Sequence, residues 1–227
     1  MVLSSALQLL VVVSADWDTV DGNLYRYQHS LTSSEWELVG APVDVSLGKK
    51  GMAWGKGIHP ASSQQRANKK EGDSKSPAGL FSLGTAFGDA SHQKYAKSVP
   101  FLLITEDLEC VDDPDSSYYN RFVMRNAIEN PDWKSSEKMQ DVGPLYAIGL
   151  VVEHNTHSIE PGIGSAIFIH IWRDRKEGTH GCTAMQESDL NTLVSWLDVK
   201  QHPCLVQLPI EEYRLKKEEW NLPELPF

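Results

Sequence analysis

The chain has 227 residues, 41% hydrophobic and 23% charged, with 31 acidic against 21 basic side chains and a formal net charge of −10. That length suits one domain, expected over residues 1–227, and buries a core without metal or disulfide staples. The acidic balance excludes a general nucleic-acid binder, which needs a basic face, and no apolar run reaches the roughly 18 residues of a membrane span.

The first predicted element is a strand over Gln8 to Val13. No Lys or Arg precedes its β-branched block, so it reads as a strand rather than as the end of a signal peptide. Short strands follow at Leu24 to Gln28, Trp36 to Val39 and Val43 to Ser46, with Asp21-Gly22-Asn23 read as a hairpin turn. Gly48 to Gly57 is glycine-rich and anchored by Met52 and Trp54. Ser62 to Ser76 carries Arg66, Lys69, Lys70, Glu71 and Asp73 and reads as a surface loop.

Ala78 to Phe87 and Phe101 to Thr105 resume strand character. Cys110 to Lys138 is rich in Asp, Asn, Ser and Tyr, too long for a plain connection, and is expected to be a functional excursion over one sheet edge. Tyr146 to Glu153 and Ala166 to Trp172 are the two strongest strands. Leu190, Leu193, Val194 and Leu197 recur at helical spacing, with Ser188 and Asp189 placed to cap the start. A last strand is expected at Leu205 to Leu208, and the tail from Glu211 to Phe227 as a helical turn and a packed extension.

The segment from Gly164 to Met185, GSAIFIHIWRDRKEGTHGCTAM, carries the chemistry. Strand alternation puts Phe168, His170 and Trp172 on one face. A charged loop follows, and then Thr179-His180-Gly181-Cys182, the cysteine lying twelve residues after His170. A thiol is a modest nucleophile until it ionises, and an imidazole at hand can take its proton. Gly181 removes bulk where a substrate carbonyl would approach, and backbone N–H groups near Cys182 are candidates for an oxyanion hole. Singly, a strand histidine or a cysteine after glycine is ordinarily a packed core residue; the combined unit points to catalysis. His170, His180, Cys182, His154 and His157 form a pool of metal-ligand types, but their spacing matches no zinc signature, so no metal and no other cofactor is expected. Cys110, Cys182 and Cys204 are odd in number and lack CxxC spacing, which argues against a disulfide framework, and nothing in the spacing demands a Cys110–Cys204 pair.

At these residues the chain resembles the L,D-transpeptidase (YkuD) family, which carries an upstream His and a Ser/Thr-His-Gly-Cys motif. The stretches GKKGMAWGKG, GDSKSPAGLFSLGTAFG, DDPDSSYYNR and Ser136-Glu137-Lys138-Met139 resemble a divergent branch of it, so the likeness covers nearly the whole chain. It implies a mainly β fold, a sandwich of curved mixed sheets with long loop excursions and a helix after the catalytic cysteine. It implies Cys182 as nucleophile and His170 as base, oriented by a backbone carbonyl for which Ile171 is the candidate, with Thr179, His180 and Gly181 completing the motif. The implied substrate is a peptidoglycan stem peptide, cut at an L,D bond next to diaminopimelate. A second stem amine as acceptor gives a 3→3 crosslink, water gives carboxypeptidase activity, and a carbapenem is the implied covalent inhibitor.

The His-to-Cys spacing is shorter than in better-known members, and Thr183, Ala184 and Met185 follow the cysteine where Arg or Asn is common. Arg173 or Arg175 is a candidate replacement for a lost carboxylate contact. Asp112, Asp113, Tyr118, Tyr119, Asn120 and Glu137 are candidates for a substrate wall, an acidic patch that suits a free amine, and Trp54 and Trp172 are candidates to line a groove. The alternatives are a cysteine peptidase or amidase that cleaves wall peptides or wall-protein linkages, and an inactive wall-binding module of the same fold. Substrate and family imply the periplasm or cell envelope.

Overall fold

The structure, a computed structural model, describes residues 3, 5–29, 35–60 and 68–227. Arg66 and the polar stretch from 61 to 67 lie outside the described residues.

Strand β1 (Gln8–Ser14) is buried along its whole length. Its apolar block has no polar face, so it needs neighbours on both edges and cover on both sides. β2 (Asp21–His29) pairs with it antiparallel. Asp21-Gly22-Asn23 therefore lies inside a strand and is not a hairpin turn. Gly22 faces Ser14 on one edge and Val45 on the other, and a Cβ there would come within 3.0 Å of the Val13 carbonyl oxygen. The glycine serves close strand approach, while the reversal occurs earlier, where the Asp16 carboxylate accepts the N–H groups of Asp18 and Thr19.

β3 (Trp36–Leu38), β4 (Val43–Ser46), β5 (Met52–Trp54), the long β6 (Ser76–Gly88) and β7 (Phe101–Leu103) follow. The segment from Cys110 to Lys138 is more regular than its composition suggests. β8 (Leu108–Val111), β9 (Arg121–Met124) and β10 (Ser136–Lys138) form a separate three-stranded antiparallel sheet. β11 (Ile148–Val152), β12 (Phe168–Ile171), β13 (Thr183–Met185) and β14 (Cys204–Pro209) complete the main sheet.

The main sheet is mixed and runs β1-β14-β6-β11-β12-β13-β4-β2, and β2 pairs with β1 again, so the hydrogen-bonded circuit closes on itself. The protein is mainly β with mixed strands, as the resemblance implied. The large core joins the strands of the circuit to the helical segments packed on them. A smaller core of Phe87, Leu108, Cys110, Met139, Tyr146, Val151 and Phe168 lies between the main sheet and the three-stranded one. Phe168 meets Phe87 edge-on at 4.9 Å and stacks on Phe122 at 5.6 Å. Each such ring contributes roughly 1.5–3 kcal/mol by burial, which ties the small sheet to the strand that bears His170.

Helix α1 (Glu187–Trp196) buries Leu190, Leu193 and Val194. Gln186 keeps an extended backbone just before it, so Ser188 and Asp189 sit in the first turn instead of capping it; Glu187 and Asp189 there complement the helix dipole. α2 (Ile210–Trp220) is a full helix rather than a single turn, held by buried Tyr213 and Trp220, with the Tyr213 hydroxyl donating to the Pro223 carbonyl at 2.7 Å. Among the described residues no helix is long and apolar enough to cross a membrane.

Candidate active site

β12 and β13 run parallel with His170 opposite Ala184 and Ile169 opposite Thr183. Opposed residues on neighbouring strands point the same way, so Phe168 and His170 share a face with Cys182 and Ala184. Cys182 directly precedes β13 and lies diagonal to His170. With strands about 4.8 Å apart and about 3.3 Å per residue, the two Cα atoms are about 8 Å apart, a span that two inward-leaning side chains bridge. Both line one pocket of about 240 Å³, together with Glu137, Tyr146, Trp172 and Thr179.

His170 is buried, and its Nδ1 lies 2.8 Å from the Ile171 carbonyl oxygen. A carbonyl only accepts, so Nδ1 carries the proton and Nε2 keeps its lone pair. Burial lowers the pKa of the ring, against the opposing pull of that carbonyl, and the resting imidazole is a neutral base. Tyr146 meets it edge-on at 5.3 Å.

Cys182 is half-buried. Sγ accepts the Phe168 N–H at 3.4 Å and donates to the Ala166 carbonyl at 3.4 Å. Burial, and then the Glu137 charge, push the thiol up to about 12, while the Phe168 N–H and Lys69 pull it down. The resting thiol is therefore neutral.

The turn that presents Cys182 is fixed from several sides. The Thr179 hydroxyl donates to the Cys182 carbonyl at 2.6 Å and accepts the Gly181 N–H at 3.1 Å. Ser76, on β6, donates to the same carbonyl at 2.9 Å and accepts the Gly48 N–H at 2.9 Å. Thr179 is also bonded through its backbone to Leu47 and Lys49. Gly181 has φ +149°, a conformation side chains rarely adopt, and a Cβ there would meet the Lys75 carbonyl oxygen at 3.2 Å and Lys69 Nζ at 3.4 Å. Cramped backbone thus demands this glycine, in addition to any role in substrate approach. His180 is exposed on the rim, 3.5 Å from Lys49 Nζ.

Lys69 is a component that sequence reasoning missed. Expected on a surface loop, its side chain is only 3% exposed and pairs with Asp73 at 2.8 Å. Asp73 also accepts the N–H groups of Lys70 and Lys75 at 2.8 and 2.9 Å. The only signal was an acid four residues after a lysine, which is common on any surface.

Of the residues expected to bind substrate, Trp172, Arg173 and Glu137 line the pocket. Asp113, Tyr119 and Asn120 do not, because their polar groups are engaged inside the scaffold. Asp113 is buried and accepts the N–H groups of Asp115 and Lys134. The Tyr119 hydroxyl donates to Glu71 and accepts the Gly164 N–H. Asn120 donates to the His154 and Asn155 carbonyls and accepts the Ala166 N–H. Asp112 accepts from Ser135, Tyr118 packs edge-on against Trp133, and Arg175 pairs with Asp44. Trp54 is largely buried against Trp17 and lines a separate pocket with Lys56, Lys69 and Ile163 rather than this one. His154 accepts the Lys56 N–H on Nδ1 and bonds the Ile163 carbonyl through Nε2. Among the described residues no group of His, Cys, Asp or Glu is placed to hold a metal, and Cys110, Cys182 and Cys204 are free thiols.

Thiol-dependent acyl transfer works through a cysteine thiol and a neutral, oriented imidazole, and one pocket of this mainly β scaffold is lined by both groups. The family model of the YkuD L,D-transpeptidase catalytic domain matches residues 15–207, and the chain belongs to that family. Its members are cysteine-dependent transpeptidases that act on peptidoglycan stem peptides. No curated protein and no solved structure matches the chain.

Proposed function

We propose that the protein acylates Cys182 with a peptidoglycan stem peptide, at an L,D bond, and passes the acyl group to an amine or to water. The observation that carries this reading is the Nδ1 bond of His170 to the Ile171 carbonyl, which leaves Nε2 as a base in the pocket that Cys182 shares. The S–H swings from the Ala166 carbonyl to Nε2 as Sγ attacks the peptide carbonyl. The C–S bond forms and the carbonyl electrons move onto oxygen. Because Thr179 holds the Gly181 N–H, the Cys182 N–H is the backbone donor we assign to that oxyanion. The imidazolium then protonates the leaving D-alanine amine and the C–N bond breaks. An incoming stem amine, or water, gives its proton to Nε2, attacks the thioester and frees the thiol. Arg173 and Lys49, exposed on the pocket rim, offer charge for a substrate carboxylate. For such a substrate, the periplasm or cell envelope is the location we propose.

The test is incubation with a disaccharide-tetrapeptide and mass spectrometry of the products. Crosslinked dimer marks transfer and tripeptide marks hydrolysis, and Cys182→Ala is expected to lower both by at least about 10³-fold. A carbapenem is expected to add its mass to the peptide containing Cys182. Unchanged substrate with the wild type, or full activity of Cys182→Ala, sinks the proposal.

A further inference from the structure

Glu137 stands out among the acidic groups. It projects from β10 into the pocket shared by Cys182 and His170. The Tyr146 hydroxyl donates to its Oε1 at 2.8 Å, and among the described residues no protein donor meets Oε2. The groups that face it are Cys110 and Asp112 from β8 and its end, Tyr146, His170 and Cys182. Lys49, Arg173, Glu177 and His180 lie on the pocket rim. None of the cations pairs with Glu137: Arg173 binds Glu177 at 3.0 Å, and Lys49 is directed to His180. A half-buried carboxylate beside a nucleophilic thiol, open to a cavity and lacking a cation, is costly unless a ligand supplies one.

We propose that Glu137 makes the reaction at Cys182 conditional on a positively charged donor: from the pocket that it shares with Cys182 and His170, its carboxylate receives an ammonium group of the bound peptide. The inference rests on Cys182 being the nucleophile. Burial, opposed by the Tyr146 bond, holds the Glu137 carboxyl near a pKa of about 7, so a docking ammonium ionises it fully and cancels the charge felt at the sulfur. Tyr146, touching both Glu137 and the His170 ring, links the seat to the base.

Two measurements test this. The first is kcat/KM of the wild type and Glu137→Gln for a tetrapeptide with a free side-chain amine at its third residue, and for the same peptide with that amine acetylated. The wild type is expected to prefer the free amine by about tenfold or more, the worth of one charge-assisted contact, and the glutamine variant to lose most of that preference. The second is the rate of Cys182 alkylation by iodoacetamide between pH 6 and 9, expected to be severalfold faster in Glu137→Gln at the alkaline end. Equal turnover of both peptides by the wild type, or a preference that survives in the variant, overturns the role of Glu137 and leaves the acyl-transfer reading standing. If the wild type turns over neither peptide, the acyl-transfer reading fails, and superimposable alkylation profiles then overturn the proposal for Glu137 as well. Glutamine keeps the acceptor for Tyr146, and the wild-type comparison of the two peptides needs no variant at all.

Discussion

A buried cation and a half-buried carboxylate flank Cys182, and they are held in opposite ways. Lys69 lies beside Gly181, paired with an aspartate that also accepts two backbone N–H groups. Glu137 opens on the pocket with a single tyrosine hydroxyl as partner. A buried charge whose partners are complete belongs to the scaffold, and its removal harms the fold. A charge beside the reactive atom with one oxygen free is poised for a ligand, and its removal changes chemistry more than architecture.

The sharpest way to break this contrast is Asp73→Ala. It strands the Lys69 ammonium and two N–H groups, and should cost about 3–5 kcal/mol, read from urea unfolding midpoints. A cost below about 1 kcal/mol would remove Lys69 from the scaffold.

Glu137→Gln comes next, and its effect depends on pH. The native carboxyl holds its proton more tightly than an unfolded one, with a pKa of about 7 against the ordinary 4.5. Its contribution to stability is therefore full below about pH 4.5 and is lost as pH rises through 7. Wild type should fall relative to the variant by about 1–3 kcal/mol between pH 4.5 and 8, with solvent screening setting the lower end. His154 acts in the opposite sense. Burial lowers it to about 4, so its contribution is present above about pH 6.5 and lost as pH falls through 4, equally in both proteins. A wild-type-minus-variant difference that is flat with pH contradicts the perturbed carboxyl.

Thr179→Val removes two bonds from the turn that presents Cys182 but leaves Ser76 on the Cys182 carbonyl. It should cost about 1–2 kcal/mol, with activity falling more than stability alone explains. The smallest effect is reserved for Arg175→Ala, whose exposed pair with Asp44 is worth less than about 0.5 kcal/mol; a larger thermal shift would show that the surface loop supports the site.

The same contrast explains how much was legible in the sequence. The strand bearing His170 and the Thr-His-Gly-Cys turn were readable because alternation and motif are local. The hydroxyls that hold the turn were half readable: Thr179 sits in the motif, but Ser76 arrives from a segment 106 residues away. Lys69 was unreadable because only tertiary packing turns a lysine in a polar stretch into a buried ion. The small sheet of β8, β9 and β10 was hidden by its Asp- and Ser-rich connections, where Asp113 and Asp132 organise backbone turns rather than contact a ligand. Asp21-Gly22-Asn23 misled because turn-type residues were overridden by strand partners on both edges.

The pairing of β1 with β14 also constrains how the molecule assembles. Leu9 aligns with Cys204 and Val13 with Leu208, in parallel. β1 finds one partner, β2, next to it in the chain, but its other edge waits for β14, far along the sequence. Contacts so distant along the chain slow folding, and an unpaired apolar edge invites association with other chains in the interval. The scaffold is therefore most exposed to aggregation before its ring of strands is sealed.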